Sequence, residues 1–185
     1  RKGYTRSHSE LGSQAFLRQW YFVLRHGRVG HCQAIQKMKN HIIVTGGAGF
    51  IGSNLIRLLL KKTKKKIISL DNYSTGKRKN HVKKSKRIKY IKANTAEISI
   101  KLNKYKNKIH SVFHFGEFAR IYKSFEKFDE CFESNSFGSK AVFKFCLDNK
   151  IKLIYSATSA SLGDLGKDKN LSPYAFTKSK NLELL

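Results

Sequence analysis

His41-Ile-Ile-Val-Thr-Gly-Gly-Ala-Gly-Phe-Ile-Gly-Ser-Asn-Leu-Ile-Arg-Leu-Leu-Leu60 decides how the rest of this sequence is read. Ile42, Ile43 and Val44 are a short β-branched run of the kind that makes a buried parallel strand. A glycine-rich turn follows. The chain then resumes with Phe50, Ile51, Leu55, Leu58 and Leu59, apolar at helical spacing. Strand, glycine turn and helix together present bare backbone N–H groups and a positive helix end, which suits a phosphate. Gly46, Gly49 and Gly52 stand at GxxGxxG spacing, allowing a tight turn, close approach to a pyrophosphate, and close packing of helix on strand. Asp71 ends the next apolar run nineteen residues after Gly52, near the distance expected of a ribose-binding carboxylate. Three glycines alone fit an ordinary strand–turn–helix. In this context they predict a dinucleotide site.

A chain of 185 residues with 40% hydrophobic content suits one domain with a real core. Its formal net charge of +26 invites a nucleic-acid or acidic-membrane partner. The distribution argues against both. From Lys39 onward, 31 Lys and Arg face 11 Asp and Glu, scattered and mostly lysine, with no zinc-finger spacing and no aromatic RNA-binding signature. Lys61 to Lys92 carries fourteen basic residues and one acid, and without interleaved aromatics it reads as a solvated face. Cys32, Cys131 and Cys146 are odd in number and unpaired by CxxC spacing, so neither a disulfide framework nor a metal site is expected. A reducing cytoplasm is the expected compartment. No apolar run approaches the roughly 20 residues needed to span a bilayer.

Residues 1–37 form a basic leader in which arginine outnumbers lysine five to two, against the lysine-rich remainder. Ala15 to Leu24 could make a short amphipathic helix. Met38, three residues before the first strand, reads as the native start, with the leader read as an upstream extension outside the domain. The domain is therefore set at 38–185. Within it Lys66–Asp71, Ile88–Ala93, Ile109–Phe115 and Ile151–Tyr155 read as further strands, and Phe128–Asn149 as one long helix. His110 and His114 read as packed sheet residues rather than metal ligands. Ser156 to Ser161 crowds hydroxyls at the carboxyl end of the last strand, the ligand side of such sheets. Ser172-Pro-Tyr-Ala-Phe-Thr-Lys178 opens a helix that stacks Tyr174 on Lys178, four residues apart. Alternating strands and helices with right-handed crossovers give a doubly wound parallel α/β sheet in the order 3-2-1-4-5.

The chemistry follows from three side chains. A tyrosine takes a proton from an alcohol only as phenolate, yet its ordinary pKa is about 10. A lysine one turn away stabilises the anion, and a hydroxyl such as that of Thr158 can hold the reacting oxygen. Asp71 can accept both ribose hydroxyls and repels the extra phosphate of NADP, so NAD is favoured, although Lys77 and Arg78 follow closely.

Thr45-Gly-Gly-Ala-Gly-Phe-Ile-Gly52, Asp71-Asn-Tyr-Ser-Thr-Gly76, Val112-Phe-His-Phe115, Asn135-Ser-Phe-Gly138, Thr158 before Gly163, and Tyr174-x-x-x-Lys178 together resemble the extended short-chain dehydrogenase/reductases, specifically the NAD-dependent epimerase/dehydratases of nucleotide sugars. The resemblance implies a Rossmann-like sheet, NAD as cofactor and a nucleotide-sugar substrate, expected to be a UDP-hexose. It implies a cofactor site of Gly46, Gly49, Phe50, Ile51, Gly52, Asp71, Asn72, Asn94, Phe115, Asn135, Tyr174 and Lys178. Thr158, Tyr174 and Lys178 would be the catalytic set. Carbon-4 epimerisation is the implied reaction. The alternatives are a dehydratase, dehydrogenase or reductase of the same family, or a non-catalytic NAD-binding scaffold.

Four departures stand out. Asn94 replaces the usual aspartate near adenine, and Gly116-Glu-Phe-Ala119 replaces a run of small residues. Leu162 stands where a tyrosine is common. Ser159 and Ala160 stand where the dehydratases carry an Asp-Glu pair for water elimination, which favours epimerisation. Family members continue for well over a hundred residues, so the chain is expected to stop before the last strands and the substrate domain. The full-length parent could be a homodimer.

Overall fold

The computed structural model describes residues 39–82, 85–159, 167 and 170–185. The leader, Met38, Ala160 and Leu162 lie outside the described residues. Five strands, β1 (His41–Thr45), β2 (Lys66–Asp71), β3 (Ile88–Lys92), β4 (Ile109–His114) and β5 (Lys152–Tyr155), form one sheet in the order β3-β2-β1-β4-β5. Every neighbouring pair is parallel, with Ile43 opposite Ile68 on one side and Val112 on the other. This is the doubly wound arrangement expected from the alternating pattern.

Period-two alternation sorts the side chains of β1 between two layers. Ile42 and Val44 join Ile67 under Ile56 of helix α1 (Phe50–Lys62). Ile43 and Ile68 face the opposite side, where Ile98 and Leu102 of α2 (Ile98–Leu102) meet Val142 and Phe145 of α5 (Ser139–Asp148). β1 lies in the middle of the sheet and all five of its residues are buried. The glycine turn therefore leaves the sheet at its centre, where the strand order reverses, which is the ligand crevice of such sheets.

The long helix expected over Phe128–Asn149 is not uniform. After the short α3 (Lys123–Glu126), helix α4 (Phe128–Phe132) runs into a π-helical turn over Glu133–Gly138, and only then into α5. The wide turn lies at a close long-range contact. A Cβ on Gly138 would lie 2.3 Å from Thr95 Oγ1, so the helix crosses the Thr95–Glu97 turn at backbone distance. It also carries the fully buried Asn135, whose side chain reaches the loop after β4. Single π turns of this kind frequently mark functional positions. The last helix, α6 (Pro173–Leu184), begins as its sequence suggests: Pro173 occupies its first turn, and Ser172 caps it by accepting the Ala175 N–H at 3.0 Å.

Candidate active site

The glycine turn is built by two requirements. Gly46 has φ of +68°, the left-handed region, and a Cβ there would lie 2.7 Å from the Phe115 carbonyl at the end of β4. Gly52, inside α1, sits so close that a Cβ would lie 2.3 Å from the Gly46 oxygen. Gly49 is the N-cap of α1, and no side chain caps this end. The first turn of α1 thus keeps its N–H groups free for an anion. Phe50 and Ile51 flank it, 82% and 53% exposed.

Asp71 closes β2 beneath this turn. One carboxylate oxygen accepts the Ala48 N–H at 2.8 Å and the other accepts the Tyr73 N–H at 2.8 Å. The carboxylate is therefore fixed against the turn. A Cβ on Gly76 would stand 2.9 Å from Asp71 Oδ1, so glycine keeps the space beside it open. Asn72 Nδ2 donates to Asn94 Oδ1 at 2.9 Å, which brings the two expected adenosine contacts side by side. Asn80, not singled out in the sequence, donates to the Ala48 carbonyl at 2.8 Å and latches the 74–80 loop onto the turn. Aimed carboxylate, uncapped helix end and glycine-kept space together fit a dinucleotide lying across the carboxyl edge of the sheet.

At the other end of that edge, α6 brings Tyr174 beside the residues that follow β5. The Tyr174 hydroxyl is hydrogen-bonded by Thr158. Its backbone N–H donates to the buried Ser124 hydroxyl at 3.3 Å, docking α6 on α3. Burial raises the Tyr174 pKa; Thr158 opposes the rise and the charge of Glu117 adds to it. Lys178, expected from the spacing to lower it, has its ammonium bonded to other groups. Lys178 pairs with Glu117, donates to the Ser156 carbonyl, and lies 4.2 Å from the centre of the Tyr155 ring. Phe115 stands half-buried at the end of β4, facing the turn of Gly46. Asn135 is wholly buried and grips Phe118 from both sides, accepting its N–H at 2.6 Å and donating to its carbonyl at 3.1 Å. Its part is to hold the loop after β4.

Glu117 is the side chain that sequence spacing left without a role. Its Oε1 accepts from Ser139 at 2.7 Å, Tyr155 at 3.0 Å and Asn181 at 3.2 Å, while Oε2 takes Lys178. The network extends to the first strand. Thr45 Oγ1 accepts the N–H groups of Phe115 and Gly116 at 3.1 and 2.9 Å, so its own proton goes to His114 Nδ1 at 2.7 Å. His114 therefore carries its proton on Nε2 and donates to Ser139 Oγ at 3.0 Å, and the Ser139 proton goes on to Glu117. Burial lowers the His114 pKa to about 4, Glu117 opposing and Lys178 assisting. The signal available in the sequence was the acid itself, alone in a run where small residues are usual.

A parallel doubly wound sheet with a glycine turn, an acidic second strand and a Tyr-x-x-x-Lys helix defines a dinucleotide-binding protein of the Rossmann type. The chain belongs to the NAD dependent epimerase/dehydratase family, whose profile matches residues 42–184. A UDP-N-acetyl-alpha-D-glucosaminuronate decarboxylase of Bacillus cytotoxicus is 32% identical over 126 residues, 68% of this chain and 39% of that protein. An ADP-L-glycero-D-manno-heptose-6-epimerase of Brachyspira hyodysenteriae is 33% identical over 149 residues, 74% of this chain and 45% of that protein. The solved UDP-Glc/GlcNAc 4-epimerase of Campylobacter jejuni superposes with a TM-score of 0.69 at 22% identity, over 78% of this chain and 47% of that one. The chain thus spans less than half the length of these relatives. The family's cofactor is NAD. Among the described residues, no helix is long and apolar enough to cross a membrane.

Proposed function

We propose that this chain is the NAD-binding part of a nucleotide-sugar epimerase that oxidises carbon 4 of a nucleotide-linked hexose, expected to be a UDP-hexose, and reduces it again on the other face. The observation that carries this reading is the Tyr174–Thr158 hydrogen bond at the carboxyl end of β5, on the same sheet edge as the Gly46–Gly52 turn and Asp71. Asp71 would take the adenosine ribose, with Asn72 and Asn94 beside the adenine. The first turn of α1, with Gly49, Phe50, Ile51 and Gly52, would take the pyrophosphate. Lys178 would meet the nicotinamide-side ribose. NAD, when bound, supplies the hydride acceptor and a positive ring that favours ionised Tyr174. Tyr174 then takes the hydroxyl proton from the sugar while Thr158 holds the same oxygen. On the return step Tyr174 gives the proton back.

Dehydration would need an acid and a base that Ser159 cannot supply. A non-catalytic NAD-binding scaffold is the second reading, favoured by the engagement of Lys178 with Glu117. The test uses the full-length parent. General-base catalysis supplies about 10²–10⁴-fold in rate, so Tyr174→Phe should lose at least about 10²-fold in turnover with NAD affinity nearly intact. Wild-type turnover in that variant sinks the mechanism. NAD binding with no turnover in the unaltered parent favours the scaffold.

A further inference from the structure

The side chains of Glu117 and Lys178 are each 4% exposed. An ammonium this deep is unfavourable unless a counter-charge and hydrogen bonds compensate it. The titratable groups facing the pair come from four elements: His114 from β4, Cys131 from α4, Tyr155 from β5 and Tyr174 from α6. Burial leads the shift at each one, lowering the histidine and raising the thiol and both phenols. All four are therefore neutral near pH 7. Among the described residues, Glu117 is the one counter-charge Lys178 touches.

Every contact of the carboxylate is a donor, so Glu117 binds as the anion. Its donors come from α5, β5 and α6, and through Ser139 and His114 it reaches Thr45 on β1. The strand that enters the glycine turn and the helix that carries Tyr174 are thus fastened at one carboxylate.

We propose that Glu117 is a positioning residue that holds Lys178 as a charged, immobile donor at the carboxyl end of β5 and ties it to the glycine turn through Ser139, His114 and Thr45. This rests on the reading of Lys178 as the group that meets the cofactor ribose. Charge balance is the core of the idea. A glutamine would fill the same volume and still accept from Ser139 and Tyr155, but would leave the ammonium uncompensated.

The experiment compares the wild-type chain with Glu117→Gln. The ionisation of Lys178 is followed by the ¹⁵N resonance of labelled lysine, assigned by its loss in Lys178→Arg, and NAD affinity is measured by calorimetry across the same pH range. The lysine midpoint should fall by at least about one pH unit in the variant, since one unit is about 1.4 kcal/mol of lost charge compensation. NAD affinity, flat with pH in the wild type, should weaken about tenfold in the variant as pH rises through that midpoint. Glu117→Asp should restore part of the flat profile. An unchanged midpoint overturns the proposal, and so does a shifted midpoint with a flat affinity profile. A wild-type chain that binds no NAD at any pH sinks the cofactor reading instead, and the lysine midpoint then decides the pairing by itself. If Glu117→Gln does not fold, Glu117→Gln/Lys178→Met should, because both charges are gone. A double variant no more stable than the single one overturns the proposal.

Discussion

His114 shows how much one buried side chain fixes. Its ring lies fully buried between Thr45 and Ser139, and it is neutral because protonation would add a charge where no water reaches. With the folded pKa lowered from 6.5 to about 4, the unfolded chain binds more protons in the window between those values. Stability from this residue is present above that window and lost as pH falls through it, by about 2–3 kcal/mol between pH 7 and about pH 4.5. His41, lowered by burial and then by Lys66 and Lys108, acts in the same direction. Urea unfolding at the two pH values measures the slope, and His114→Gln should flatten it by that amount. An equal slope in both proteins would mean that His114 titrates alike in the folded and unfolded chain. The sequence told that this histidine alternates with apolar neighbours and therefore packs. It could not tell what it packs against, because Ser139 and Glu117 meet it only through tertiary contacts.

The glycine turn separates stability from binding within one element. Gly46 and Gly52 are glycines because neighbouring backbone occupies the space of a Cβ, with Gly46 also left-handed. Gly49 meets only the Gly46 oxygen, at 3.2 Å. Gly52→Ala should therefore cost about 1–3 kcal/mol, the range of an overpacked site, with nucleotide binding lost alongside. Gly49→Ala, at an N-cap, should cost no more than about 1 kcal/mol, yet weaken NAD by crowding the helix end that no side chain caps. Thermal unfolding and calorimetric titration of both variants read the two effects apart. If both lose stability equally, Gly49 is a packing residue and its place in the cofactor site is wrong. The turn was legible because strand, glycines and helix are contiguous. The π turn was not. It ends at Gly138 against Thr95, forty-three residues away in sequence, and no local periodicity carries that contact. The same turn gives a further expectation: Asn135→Ala leaves the Phe118 N–H and carbonyl without partners. At no more than about 1–3 kcal/mol for each half-buried group so left, the loop bearing Glu117 should loosen, seen as faster amide exchange at Phe118.

For the whole molecule, strand order was legible because right-handed crossovers and a central glycine turn leave few arrangements, and the sheet adopts 3-2-1-4-5. The charge was legible as a number but not as a field. Folding places Lys39, Lys65 and Lys152 around His110, and Lys66 and Lys108 around His41, at the ends of the strands remote from the cofactor edge. Against that field stand the exposed pairs Lys101–Glu97, Lys127–Glu130, Lys144–Asp148 and Lys180–Glu183. Each exposed pair is worth about 0–1 kcal/mol and is weakened by salt. The repulsion among 38 basic residues facing 12 acidic ones is screened by the same salt. At the Debye length of about 8 Å in 0.15 M salt, repulsion between loops fades while the buried Glu117–Lys178 pair is little affected. Repulsion therefore wins, and added salt should stabilise the fold. Melting in sodium chloride raised from about 0.02 to about 0.3 M should show an increase of several degrees, on the scale of about 4–8 °C per kcal/mol for a domain of 60–100 residues and less for one this long. The same series in sodium sulfate separates screening from surface exclusion, since the chloride effect should level off near the physiological range while the sulfate effect continues to climb. A melting temperature that falls with chloride would mean that the helix-surface ion pairs outweigh the lysine field, and that the charge is structural rather than a burden on the fold.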